Sequence, residues 1–529
     1  MSVAAARARP CDGAVIAATR AEPCAERTKQ FVLAATIIGS GMAFIDGAVV
    51  SVALPVIGRD LEASLPLMQW VVNAYVLVSA ALTLVGGAAG DRYGRRRVFI
   101  AGVFVFTLAS IAGGLAPGAV PLIVARAAQG FGGALMVPNS LAIIGAAFDE
   151  HEKGRAIGTW AGATAVAGAL GPVLGGWLTD VVSWRAIFFI NVPFAAVAVL
   201  IAASSVPESR DPEAAPHLDW AGAGLAAGGL AALAFALIEA SELGWSHPAV
   251  EGCALGGLLL LGGFLWVEAH VPAPMVPLVL FRSRRFSGIN LLTLLLYGAL
   301  GGAMFLVPFD LIRVQSYSAA EAGAAFLPFP LVMVALSRWS GGLLDRFGAR
   351  PPLVLGPLIT AAGLVLFALS GVGGSYWIDV LPPMLIMGLG LAVSVAPLTA
   401  AVMSAVPARQ IGVASGINNA VADIASLLAV AVFGAAALAI FGHALDERLA
   451  QLGNSPELAE TVAAIKRTLA GTDLPASLPA ETRAALQAAI SAAFAVTFRM
   501  LMLGAAGLAL LAALCALATI PGERLSNPR

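Results

Sequence analysis

Apolar stretches long enough to cross a bilayer recur fourteen times in this chain, and no other feature limits so strongly what it can fold into. A hydrocarbon-spanning helix needs about 20 mostly apolar residues. The runs lie near 31–57, 69–89, 98–117, 120–147, 157–179, 186–206, 219–240, 250–268, 287–311, 319–340, 353–371, 380–405, 412–441 and 492–520. Lipid offers no water to backbone N–H and C=O groups, so each span must satisfy them internally as an α-helix. The expected fold class is therefore all-α and integral to the membrane. Composition agrees, since 12% of residues are charged against about a quarter in a soluble domain. The net charge of −1 points to neither a nucleic acid nor an acidic partner. Cys11, Cys24, Cys253 and Cys515 form no metal spacing and no disulfide framework, so no metal site is expected.

Short loops set the expected topology, because Lys and Arg collect on the cytoplasmic side. The short loops on one side hold only Arg59, Arg185 and Arg313, while the polar tail 1–30 and the loops on its side are basic. An even number of spans then puts both termini in the cytoplasm. The first apolar run is too long for a signal-peptide core, which makes it an uncleaved first helix. One long outer segment, 443–490, reads as two amphipathic helices forming an external cap, the first starting at Ser455-Pro456-Glu457 with Pro at the first helical position.

An internal repeat organises the rest. Gly87-Ala-Ala-Gly-Asp91-Arg92-Tyr93-Gly94-Arg95-Arg96 matches Gly341-Gly-Leu-Leu-Asp345-Arg346-Phe347-Gly348-Ala349-Arg350, 254 residues later. The same offset relates Ile157-Gly158 with Gly162 to Ile411-Gly412 with Gly416. Two matches in register imply duplicated bundles, a hallmark of secondary transporters. The expected organisation is a tail 1–30, a six-helix bundle 31–206, and a linker 207–286 with spans seven and eight. A second six-helix bundle 287–520 and a tail 521–529 complete it.

Four sites carry chemistry. In the repeated loop, Gly87 allows a close helix approach and Gly94 a tight turn. Arg92, Arg95, Arg96 and Arg97 complement a helix C-terminus, and Asp91 can pair with one of them or with a neighbouring helix end. Plain topology anchoring by positive charge accounts for the same arginines. Asp46 lies near the middle of the first span, where an ionised carboxylate is expensive and marks function by default. A carboxyl able to change charge near neutral pH can carry a proton, although static helix packing is the plainer role. Arg126 lies inside the fourth span and needs an anion, water or carbonyls. It either senses the protonation state of an acid such as Asp46 or clamps backbone carbonyls. In the fifth span, Gly171-Pro172-Val173-Leu174-Gly175-Gly176 should bend at Pro172 and present a smooth face for packing.

These motifs together resemble the major facilitator superfamily, and within it the fourteen-helix drug:proton antiporter branch, over roughly Phe31 to Ile520. The resemblance implies two six-helix bundles plus two inserted helices. It implies that the loop residues Gly87, Asp91, Arg92, Gly94 and Arg95, with Asp345, Arg346 and Gly348, latch the bundles at the cytoplasmic side. It also implies that Asp46 and Arg126 couple protons, and that Gly171, Pro172, Gly175 and Gly176 are the antiporter motif of exporters. Ser51 stands where the branch carries Asn, and Ala167 replaces an upstream Gly. Ala349 and Pro351 thin and stiffen the second loop, so the first, centred on Asp91, is the expected working latch.

Asn419 and Asp423 share a face of span thirteen, and relatives often place Arg near Asp423. That acid is a second titratable site, a cation-binding group or a locally paired residue. Asp310 and Glu239 near outer ends, and Glu268 near an inner one, are expected to be solvated. Trp184-Arg185 and Asn191-Val192-Pro193 are expected to shape the outer entrance. No Gly-x-x-x-x-Gly-Lys-Ser/Thr loop follows a strand, and no nucleophile and base are paired, so an enzyme is not expected. The function expected is a proton-coupled exporter of drugs or toxic small organic molecules, working by alternating access as a monomer in the cell membrane. It would be driven by the proton gradient without a cofactor, through a mainly apolar cavity with Phe and Met surfaces. A proton-coupled importer or exchanger of a nutrient and a non-transporting receptor or scaffold are the alternatives.

Overall fold

The computed structural model describes residues 26–211, 219–271, 274–341, 343–407, 410–449, 456–469 and 479–521. Among these, fourteen helices are long and apolar enough to cross a membrane, and there is no strand. They are α1 (Arg27–Asp60), α2 (Leu65–Tyr93), α3 (Arg95–Gly114), α4 (Ala119–Ala147), α5 (Arg155–Val181), α6 (Ala186–Ser205) and α7 (Trp220–Leu243). The second half holds α8 (Pro248–His270), α9 (Arg284–Val314), α10 (Ala319–Leu336), α11 (Arg350–Ala368), α12 (Tyr376–Ser404), α13 (Val413–Leu449) and α14 (Ala480–Thr519).

Helices α1–α6 pack into one bundle and α9–α14 into another. The inserted pair α7 and α8 packs on itself, with α7 laid against α2 and α13 where the bundles meet. One end of the molecule carries the turn after Asp60, where Trp184 Nε1 and Arg185 Nη1 both donate to the Asp60 carboxylate at 2.8 and 3.2 Å. The opposite end carries the Asp91 loop.

The described hydrogen bonds that cross between the bundles lie towards the Asp60 end. Gln69 of α2 donates to the Val430 carbonyl of α13 at 2.6 Å, and Arg313 donates to the Pro55 carbonyl of α1. Asp180, in the last turn of α5, accepts from the Ala319 and Ala320 amides that open α10, at 3.2 and 2.7 Å. A carboxylate there meets free N–H groups and the positive end of the helix dipole. The bundles are thus shut against each other at the Asp60 end.

Three predicted features differ in detail. Span ten is interrupted, running as Ala319–Ala325 and then Pro328–Gly341, because Pro328 and Pro330 withhold the amides a continuous helix needs. Among its described residues the segment 443–490, expected to hold two helices, contains one separate helix, Pro456–Arg467. Its later part forms the first turns of α14, since α13 and α14 run on past the apolar stretch and pack together, with Phe441 edge-on to Phe494 at 6.4 Å between centroids. Ser455 lies outside the described residues.

Candidate functional site

α1 divides the functional groups between its two faces. At 100° per residue, Asp46 points almost opposite to Phe44, Ala48 and Ser51. Asp46 turns into the first bundle and is 2% exposed, as is Arg126 of α4. Arg126 Nη1 bonds Asp46 Oδ2, so the pairing the isolated charges called for is present. Removing two ions from water is offset only where the remaining lone pairs and protons also find partners, and here most do. Asp46 Oδ1 accepts from Gln129 Nε2 at 3.0 Å and from Asn191 Nδ2 at 3.1 Å. Arg126 also donates to the Gln129 Oε1 (2.8 Å) and, through Nε, to the Val71 carbonyl (3.2 Å). Its guanidinium lies 4.5 Å from the centre of the Tyr75 ring, a cation–π contact. Arg126 therefore pairs with the acid and also binds a carbonyl.

Three members of this cluster were not legible as such. Asn191, expected at the outer entrance, is 1% exposed and bridges Asp46 to Ser110 Oγ of α3 at 2.9 Å. It lies on the face of α6 that carries Ala195, Ala198 and Ala202, all buried, and that face turns into the bundle. Trp184 and Arg185 do sit at that end, on Asp60. Gln129 and Tyr75 carried no charge to draw notice, yet polarity at helical spacing from Arg126 was a usable signal for Gln129.

The other face of α1 lines a cleft of about 350 Å³ between the bundles, within the range of small-molecule sites. Phe44 and Ser51 of α1, Pro172 of α5, Met304 of α9, and Phe329 and Met333 of α10 form its walls, and no charged residue lines it. The apolar Phe and Met lining is what the sequence led us to expect, and Ser51, the departure from the branch pattern, lies in it. The α5 glycines are shared between two neighbours. A β-carbon at Gly175 would lie 2.9 Å from the Val49 carbonyl oxygen of α1, and one at Gly171 would lie 2.6 Å from the Ala48 β-carbon. Gly176 instead abuts Ala319 of α10, while Gly323 of α10 abuts Pro172. This contact closes the cleft on its Asp60 side.

In the first loop motif, Asp91 pairs with Arg95 (2.7 Å), and Gly87 approaches Pro138 of α4. Among the described residues the loop is docked on the linker segment 208–211 that directly follows its own bundle. Arg95 N donates to the Ser209 carbonyl at 2.9 Å, Asp211 N donates to the Asp91 carbonyl at 3.0 Å, and Glu208 Oε1 accepts from Arg96 N at 3.0 Å. Arg92 stacks on Tyr93. Gly94 has φ +109°, and a β-carbon there would lie 2.8 Å from the Glu208 carboxyl carbon. Gly94→Ala should therefore cost about 1–3 kcal/mol from backbone strain, read as a lower midpoint in detergent thermal unfolding. In the second copy Arg346 is exposed and Gly348 has φ +78°, whereas the Asp345 side chain lies outside those described.

Of the remaining polar groups, Asn419 is exposed and Asp423 half-buried on one face of α13. The field of Asp423 reaches Tyr75 of α2 and Tyr297 of α9. The adjacent Asn418 is the buried one, donating to Asn290 (3.1 Å) and Thr293 (2.8 Å) of α9. Asp310 and Glu268 are 6% and 3% exposed rather than solvated. Asp310 starts a π-helical turn, 310–314, that rotates it inward beside Gln315, and Glu268 is covered by the returning chain, whose Val276 amide donates to it at 3.0 Å. Glu239 is half-buried beside Trp70.

Comparison with known proteins agrees with this arrangement. The Major Facilitator Superfamily model matches residues 36–430. A tetracenomycin C resistance and export protein of Streptomyces glaucescens is 34% identical over 437 residues, covering 82% of this chain and 80% of that protein. The multidrug resistance protein Stp of Mycobacterium tuberculosis is 35% identical over 448 residues, covering 83% and 81%. Among solved structures, a bacterial homolog to the human lysosomal transporter Spinster, inward-facing and unoccupied, superimposes with a TM-score of 0.65 at 18% identity. It covers 94% of this chain and 99% of its own, and at that identity it speaks for the fold alone. A shared family match, relatives alike over four fifths of their length and the two-bundle architecture converge, and the chain belongs to the major facilitator superfamily.

Proposed function

We propose that this chain exports drug-like small organic molecules across the cell membrane in exchange for protons, by alternating access. The observation that carries the reading is the division of α1, with an ionisable, fully bonded carboxylate on one face and an apolar cleft of drug size on the other. Substrate and proton then compete for a conformation rather than for one atom, and coupling requires only that each favour a different state. With Asp46 ionised, Arg126, Gln129 and Asn191 tie α1 to α4 and α6. Protonation removes the charge from that pairing and loosens α1, whose other face carries the substrate. The relatives named as resistance and export proteins support the outward direction.

In this reading the Asp91 end faces the cytoplasm, because Arg92, Arg95, Arg96 and Arg97 cluster there, and both termini lie on that side. The structure then corresponds to a state shut towards the outside. The first loop acts as a latch that is parked on the linker segment 208–211 in this state and engages the second bundle in the opposite one. Asp423 supplies a second charge near the space between the bundles. The proton gradient is the energy source, no cofactor takes part, and one copy of the chain suffices.

Purified protein in everted, acid-inside proteoliposomes is expected to accumulate ethidium, with accumulation collapsing when the gradient is dissipated. Accumulation in vesicles of the opposite orientation, driven by inward proton flow, would overturn the exporter reading.

A further inference from the structure

We propose that Asn191 reads the protonation state of Asp46, its side-chain amide donating to the carboxylate and turning over to accept from the carboxylic acid. The inference rests on the reading of Asp46 as the proton carrier. A proton arriving on Asp46 Oδ1 creates an O–H that must find an acceptor inside a closed cluster. Arg126 has none to offer, because a guanidinium only donates. The Gln129 Oε1 already accepts from Arg126 Nη1 at 2.8 Å, so a new O–H there would have to share it with a guanidinium donor. Among the carboxylate's partners, Asn191 is the one whose amide oxygen accepts no hydrogen bond at all among the described residues, its Oδ1 being buried without a partner. Buried polar atoms are nearly always bonded, so an orphan acceptor beside the Asp46 carboxyl calls for an explanation.

Turning the amide by half a revolution exchanges nitrogen for oxygen at almost no change in volume. Oδ1 then faces the new O–H of Asp46, and the amide no longer donates to Ser110 Oγ at 2.9 Å. Ser110 at present donates to the Phe188 carbonyl at 2.8 Å, in the first turns of α6. Once Asn191 presents oxygen, that hydroxyl is drawn towards it and away from Phe188. A proton on α1 is in this way converted into a changed contact between α3 and α6. The charged or titratable groups facing the cluster are Arg126 from α4 and Tyr75 from α2, with Asp423 of α13 acting through Tyr75. Helices α3, α5 and α6 place none at this level among the described residues.

Infrared difference spectra between acid and alkaline pH test the idea in proteoliposomes, with no transported substrate needed. A protonated carboxyl band that disappears in Asp46→Asn assigns the proton to Asp46. In Asn191→Leu that band should move to higher wavenumber, because its O–H has lost its acceptor, whereas Asn191→Ser, which can both donate and accept, should leave it near its original place. In the unsubstituted protein labelled with ¹³C-asparagine, an isotope-shifted amide carbonyl band should titrate with the same midpoint as the carboxyl band. This last measurement stands even if Asn191→Leu fails to fold. A carboxyl band unmoved in Asn191→Leu, or no asparagine band following the titration, would overturn the amide switch while sparing Asp46. A spectrum without any band lost in Asp46→Asn would overturn the carrier itself, and the switch with it.

Discussion

Asp46→Asn is expected to lower proton release per ethidium exported at least tenfold while changing ethidium binding no more than about threefold, since 1.4 kcal/mol is a factor of ten and the mutated group does not face the cleft. The amide keeps the size of the acid and one acceptor oxygen, but it cannot hold a proton on and off. Arg126 then stays buried with the Gln129 and Val71 oxygens and no anion. Breaking a buried pair from one side costs about 3–5 kcal/mol, so thermal stability should fall as well. That cost is separable from coupling through Asp46→Asn combined with Arg126→Gln, which removes the stranded charge and should recover stability without recovering proton release. Proton release measured with a pH dye and ethidium binding by fluorescence give the two numbers. Unchanged release in Asp46→Asn would remove Asp46 from the proton path.

Gly176→Ala and Gly323→Ala are each expected to hold the protein open at the Asp60 end and to reduce transport by about 5–150-fold, the range that corresponds to a shift of 1–3 kcal/mol. A methyl group at Gly176 overlaps the Ala319 carbonyl oxygen, and one at Gly323 overlaps that of Pro172. Helix backbones cannot yield as a side-chain tip can, and overpacking of this kind costs about 1–3 kcal/mol. The contact exists only while the two bundles meet, so the penalty falls on one state and spares the other. Gly162→Ala is the control, since its β-carbon on the same helix would meet nothing within 4 Å. Spin labels at Val182 and Val372, both exposed near that end and one in each half, should report longer distances in the two test variants. The four native cysteines would first be replaced by serine. Unchanged distances in both variants would mean that the α5–α10 contact does not set the closure.

How far the site was legible follows from charge and spacing. Asp46 and Arg126 stood out because each is a lone ion in an apolar run, and two such ions have few partners but each other. The opposed faces of α1 follow from 100° per residue, so the separation of Asp46 from Ser51 was also available in advance. Asn191 was not, because an uncharged amide near the end of a span can face the entrance or the bundle, and only the packing of α6 turns the face of Asn191, Ala195, Ala198 and Ala202 inward. Asp310 and Glu268 were misplaced for a related reason. Position along an apolar run estimates depth in the bilayer, while burial depends on a π-helical turn in one case and a returning chain in the other. The Asp91–Arg95 pair lies within one loop and was legible from spacing, whereas the docking segment around Glu208 lies more than a hundred residues from it in sequence.

The sequence by itself determined that fourteen helices form, that they come in two related bundles, and which residues are too costly to leave in lipid without a purpose. Those properties are local, being sums over about twenty residues or single exceptions within them. Only the tertiary structure decided which face each helix turns to which neighbour, and so which end is shut and who bonds Asp46. Those outcomes depend on packing between segments far apart in the chain, where the rotation of one helix or one glycine selects the partner.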